Sequence, residues 1–114
     1  MRRGYWVTFY RSVSNPTALA EYAALAGPAI QAGGGRFLAR DIAAKVFEGG
    51  LQQRVVIIEF DSVESALRTY QSSAYQTALK RLKGAAERDV RIMEGRGSEG
   101  ESNRQSQDRE ATNA

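Results

Sequence analysis

The run RVVIIEFD at residues 54–61 places apolar side chains on both alternating sets of positions. In an extended chain successive side chains point to opposite faces, so Val55 and Ile57 share one face while Val56, Ile58 and Phe60 share the other. Neither face can be left to water. The segment is therefore expected at the centre of a sheet that is covered on both sides.

The flanking sequence sets what cover is available. Residues 4–13 alternate Tyr5, Val7 and Phe9 with Trp6, Thr8 and Tyr10, an aromatic and β-branched pattern that predicts a strand with large side chains on both faces. Asn15-Pro16 is a helix start, and Leu19, Tyr22, Ala23, Ala26 and Ile30 then recur at helical spacing. Gly27-Pro28 predicts a kink or a break, with a second short helix to about Gln31. Gly33-Gly34-Gly35 ends the helix, with at least one glycine at positive φ, and leads into a strand at residues 36–40. Residues 44–48 read as a continuation of that strand past an irregularity, or as a short separate one. Asp61 or Ser62 caps a helix carrying Val63, Ala66, Leu67 and Tyr70. The pattern breaks at Gln71-Ser72-Ser73 and restarts with Tyr75, Ala78, Leu79 and Leu82, ending near Gly84. Residues 89–94 form a last short strand.

Strand, helix, strand, strand, helix, strand is the split βαβ plan: an α+β, ferredoxin-like βαββαβ sandwich with a four-stranded antiparallel sheet and helices on one face. Its helices can cover one face only, yet the first and central strands are apolar on both. The uncovered face is expected to meet its copy in an isologous homodimer, a dimeric α/β barrel. This domain spans residues 1–95. Residues 96–114 are polar, hold no aromatic side chain and are expected to be a disordered tail.

The chain has no cysteine and no histidine, which removes thiolate catalysis, disulfides, the usual general base near neutral pH and the commonest metal ligands. No metal and no cofactor are expected on that ground. The formal charge of +3 is spread along the chain, with only Lys80, Arg81 and Lys83 clustered, so no nucleic-acid partner is expected. Without an apolar run of membrane-spanning length or a secretory leader, no membrane partner and a cytoplasmic location are expected. The three glycines follow a helix and precede a strand, the reverse of a phosphate loop, and so read as a turn.

The segments EYAALAGPAIQAGGGRFLAR from Glu21, RVVIIEF from Arg54, TYQSSAY around Tyr70 and IMEG at Ile92 together resemble the domain-of-unknown-function family 1330. That family belongs to the dimeric α/β-barrel superfamily, and the resemblance spans about residues 4–95. It implies a ferredoxin-like protomer, a homodimer and no assigned activity, since the superfamily holds monooxygenases, isomerases and haem enzymes alike. Tyr22, Arg40, Glu48, Arg54, Glu59, Tyr70, Ser72 and Tyr75 match the family's polar pattern. Thr69, Ser73 and Ala74 depart from it, and Arg81 is the nearest counterpart of an arginine usual in the helix after Tyr75.

A pocket in this architecture lies between helices and sheet. Its candidate ligand-binding residues are Tyr22, Arg40, Arg54, Tyr70, Ser72, Tyr75 and Arg81, with no catalytic residue assigned. The tyrosines either fill the core or converge their hydroxyls on a ligand. Arg40 and Arg54 either form a fork for a carboxylate or pair with Glu48, Glu59 or Asp61. Asp89 is either a base near Arg54 or Arg81 or a solvated aspartate. Two functions follow: a homodimer that binds or transforms a small anionic or aromatic metabolite without metal, or a structural or regulatory dimer with a filled interior.

Overall fold

The computed structural model describes residues 2–97, so all of the expected tail beyond Gly97 lies outside the described residues. Four strands, β1 (Gly4–Val13), β2 (Arg36–Ile42), β3 (Arg54–Phe60) and β4 (Ala86–Glu94), form one antiparallel sheet in the order β2-β3-β1-β4. β3 and β1 are the inner strands, as their two-sided apolar character requires. Three helices, α1 (Pro16–Ala32), α2 (Val63–Gln71) and α3 (Ser73–Leu82), complete the ferredoxin-like layer.

The register fixes which side chains share a face. Trp6 lies opposite Ile58 and Ile92, and Thr8 opposite Val56 and Val90. These residues and Tyr10 and Phe60 face the helices. Trp6, Ile58 and Phe60 are fully buried, and each contributes about 1.5–3 kcal/mol of transfer free energy. The indole of Trp6 stacks on Phe60 and meets the Tyr75 ring edge-on, 4.9 Å between centroids. On the opposite face Val7, Val55 and Ile57 are half-buried, and Phe9 and Met93 are exposed.

Local chemistry ends each helix as the sequence suggests. Asn15 accepts from the Ala18 N–H and Ser62 from the Ser65 N–H. At the far end of α1 the Gly35 N–H donates to the Ile30 carbonyl, and Gly34 takes a φ of 94°. The missing side chain of Gly35 also matters, because a Cβ there would lie 2.5 Å from Ile30 Cγ2 and 2.8 Å from Phe60 Cζ. Ser72 separates α2 from α3 and caps α3, accepting from the Tyr75 N–H at 3.2 Å.

Three expectations are corrected. α1 runs unbroken through Gly27-Pro28. Pro28 is exposed, so the carbonyl it leaves without a helical partner is not sealed in the core, and continuing the helix buries Ile30. Residues 44–48 form neither a separate strand nor an extension of β2; they lie in an exposed loop that turns where the Gly50 N–H donates to the Phe47 carbonyl at 2.9 Å. β4 begins at Ala86, three residues earlier than its β-branched content suggests. A bulge in β1 between Tyr10 and Ser12 lets Glu87 and Ala86 pair with Ser12 and Val13.

Candidate functional site

That early start of β4 carries Arg88 onto the helix-covered face, directly across from Tyr10. The guanidinium of Arg88 then reaches two phenols, Nη1 donating to Tyr22 Oη at 3.1 Å and Nη2 to Tyr75 Oη at 3.3 Å. The two hydroxyls are themselves 2.7 Å apart. The Arg88 guanidinium also sits over the rings of Tyr22 and Tyr10, 4.9 and 5.5 Å from their centroids. Burial works against its charge, but the phenolic oxygens more than compensate and raise its pKa. Burial likewise pushes the Tyr75 phenol far up, and raises that of Tyr10. Among the described residues Arg88 has no carboxylate within ion-pair distance.

Beside this group lies a cavity of about 660 Å³ between α1 and the sheet. Its floor is Trp6, Thr8, Tyr10, Val56 and Ile58; α1 supplies Leu19, Tyr22, Ala26 and Ile30; Phe37 closes one side. Three arginines line it: Arg40, Arg54 and Arg88. Arg40 and Arg54 come together because the β2–β3 register pairs Arg40 with Val56 and Ile42 with Arg54, so both belong to the helix-side face. Arg40 rests on the Phe37 ring, 4.8 Å from its centroid. Of the acids weighed as partners of Arg40 and Arg54, Glu59 accepts from Tyr5 Oη at 2.9 Å and from Arg36 Nε at 3.1 Å, Asp61 pairs with Arg36 and Arg3, and Glu48 lies in the exposed loop before β3. Among the described residues no acidic side chain lines the cavity.

The sequence-chosen residues therefore separate. Tyr22, Arg40 and Arg54 line the cavity, and Tyr75 sits behind it, fully buried, touching it through Tyr22. Tyr70 borders a different, shallower hollow of about 440 Å³ with Lys80, Lys83 and Arg88. Ser72 is a helix cap, donating to the Thr69 carbonyl at 2.7 Å. Arg81 is exposed on the last turn of α3 and lines neither space. Asp89 is across the sheet from the cavity, bound by both arms of Arg91 and by Arg11, and the hydrogen bond from Arg91 lowers its pKa. Sequence reasoning passed over Arg88, although period two carried back from Ile92 and Val90 leads straight to it.

The chemistry available is anion binding and polarisation. Guanidinium groups and protonated phenols donate, and the apolar walls strengthen each such contact by keeping water out. Among the described residues no group of three or more acidic, histidine or cysteine side chains could hold a metal ion.

The model of a domain of unknown function, DUF1330, matches residues 3–96. No curated protein sequence matches the chain. Solved structures share the fold at low identity. A protein of unknown function from Rhodopseudomonas palustris is 16% identical, with 84% of each chain covered and a TM-score of 0.64. A dimeric ferredoxin-like protein of unknown function from Thermobifida fusca is 12% identical, covering 82% of this chain and 91% of that one at a TM-score of 0.57. SnoaB, a cofactor-independent oxygenase from Streptomyces nogalater, is 11% identical, covering 87% and 98% at a TM-score of 0.56.

Proposed function

The chain belongs to the DUF1330 family, and from that premise we propose that it is a homodimer whose protomers each bind a small anionic metabolite with an apolar body. The observation that carries this reading is that three arginines line one cavity to which no carboxylate contributes among the described residues. Arg54 and Arg88 are half-buried, Arg40 is exposed at the edge, and none of the three has a carboxylate partner among the described residues, so an arriving anion would meet charge-assisted donors not already taken by an acid. The volume suits a ligand of metabolite size, and the walls of Trp6, Tyr10, Leu19, Phe37 and Ile58 suit a planar or aromatic body.

The dimer is supported by the uncovered face, where Val7, Val55 and Ile57 are flanked by exposed Phe9 and Met93, and by a structural neighbour described as dimeric. The alternative, a structural dimer with a filled interior, is disfavoured by the cavity itself. Whether a bound ligand is transformed turns on the same groups. Among the described residues the titratable side chains at the lining are arginines and tyrosines, so a reaction here would proceed on a ligand that arrives already ionised.

A thermal-shift screen of aromatic carboxylates, phenols and lactones tests this. A ligand at a hundred times its Kd stabilises by about 2.7 kcal/mol. Arg54→Ala is expected to abolish the response to carboxylates while leaving the unliganded melting temperature nearly unchanged. A wild-type protein that responds to no acid, or an Arg54→Ala variant that responds fully, would overturn the assignment.

A further inference from the structure

The hydrogen bonds around Tyr22 determine where one proton points. Tyr75 is fully buried, and the only acceptor its hydroxyl meets among the described residues is Tyr22 Oη. If Tyr22 were the donor of that pair, the Tyr75 proton would be sealed in the core without a partner. Tyr75 therefore donates to Tyr22. With Arg88 donating to both oxygens, the Tyr22 hydroxyl already accepts twice, and its own proton is left for the cavity that Tyr22 lines.

Thr8 repeats the arrangement on the floor. Its Oγ1 accepts from Trp6 Nε1 at 3.0 Å, and its own proton has no acceptor among the described residues. Arg40, Arg54 and Arg88 can only donate. The Tyr10 hydroxyl can do either, and Ala24, whose carbonyl finds no N–H at Pro28, is a neutral residue at the lining. Neither balances three guanidinium charges.

We propose that the pocket selects amine-free acids carrying a second acceptor oxygen, a class represented by the 2-oxo acids, with the carboxylate on Arg40 and Arg54 and the second oxygen taking the Tyr22 proton. An amino acid of the same skeleton is rejected, because its ammonium would face three cations with no carboxylate among the described lining residues to receive it. Arg88 and Tyr75, by donating to Tyr22, make its hydroxyl a stronger donor than an isolated phenol. This selection rests on the anion-binding reading above and narrows its ligand class.

Calorimetric titration with phenylpyruvate, phenylalanine and phenylacetate tests it on the wild-type protein and on Tyr22→Phe. Phenylpyruvate is expected to bind and phenylalanine to give no heat at the same concentration. Tyr22→Phe is expected to weaken phenylpyruvate about tenfold, one hydrogen bond's worth, and to leave phenylacetate unchanged. Equal binding of phenylpyruvate and phenylalanine, or equal weakening of both arylacids by Tyr22→Phe, would overturn the selection while leaving an anion pocket. Binding of none of the three, together with no response in the wider carboxylate screen, would remove the anion pocket and the selection with it. Should Tyr22→Phe fail to fold, the comparison of phenylpyruvate with phenylalanine on wild-type protein still decides.

Discussion

The hydroxyls of Tyr22 on α1 and Tyr75 on α3, 53 residues apart in sequence, meet at 2.7 Å beneath the Arg88 guanidinium. This contact ties α1 to the rest of the helical layer on the side where the cavity holds it off the sheet. Tyr75→Phe keeps the ring that packs edge-on against Trp6 and deletes only the oxygen. It should cost about 1–2 kcal/mol, the worth of a buried hydrogen bond plus an Arg88 N–H left without its acceptor. Urea denaturation reads this as a lower midpoint at unchanged slope. A variant as stable as wild type would mean that Arg88 finds another acceptor.

Burial also predicts an alkaline limit. Tyr75 and Tyr10 have raised pKa values in the folded protein, whereas an unfolded tyrosine titrates near 10. A raised folded value contributes stability that is complete below about pH 10 and is lost as pH climbs from there toward the folded value, because the unfolded chain releases its protons first. Each such phenol steepens the loss by at most about 1.4 kcal/mol per pH unit. Tyr22 and Arg88 face Tyr75 directly, and the cation of Arg88 opposes the shift without reversing it. Denaturation midpoints should be flat to roughly pH 9 and fall above about pH 10, less steeply in Tyr75→Phe. Equal slopes in the two proteins would place the titrating group elsewhere.

Arg88 should show a trade of stability against binding. It has no carboxylate partner among the described residues, so Arg88→Met removes a half-buried cation without stranding an anion. Replacing a half-buried charge that no carboxylate neutralises by an apolar chain removes its desolvation cost, here offset by the two lost hydrogen bonds to the Tyr22 and Tyr75 oxygens that hold it. The melting midpoint is expected within about 1 kcal/mol of wild type, with ligand response reduced at least tenfold. A variant that unfolds would make Arg88 a structural group rather than a binding one.

Much of this layout is legible in the residues. Two-sided apolar alternation put β3 at the sheet's centre and called for cover on both faces of β1, and Asn15, the Asp61-Ser62 pair and the Gly33-Gly34-Gly35 turn marked helix ends, because those signals act within a few residues of the chain. Tyr22, Arg40 and Arg54 were reachable by the same periodicity. Arg88 was not, since Ala86-Glu87-Arg88 has no strand propensity of its own and is extended only by pairing beyond the Arg11 bulge. Ser72 and Arg81, taken from the family's polar pattern rather than from periodicity, stand apart from the cavity: one caps α3 and the other is exposed on its last turn. The unbroken α1 has the same origin, an exposed Pro28 tolerated because Ile30 beyond it is buried.

The uncovered sheet face gives the last prediction. Val7 and Ile57 lie opposite each other at the middle of the two inner strands, half-buried in the protomer, with Phe9 40% and Met93 51% exposed beside them. A second copy laid on this face would take these side chains out of water, which is the driving force proposed for the dimer. Ile57→Lys puts an ammonium at its centre, where desolvation costs several kcal/mol and the cross-strand neighbours are Val7 and Ala39, so the dimer should dissociate at micromolar concentration. Leu67→Lys is the control, since Leu67 is 42% exposed on α2 within the helical layer and its substitution should leave the mass unchanged. Sedimentation equilibrium on the two variants and wild type reads the outcome, with circular dichroism confirming that each is folded. A wild-type protein that sediments as a protomer, or an Ile57→Lys variant that remains dimeric, would leave this face without the partner proposed for it.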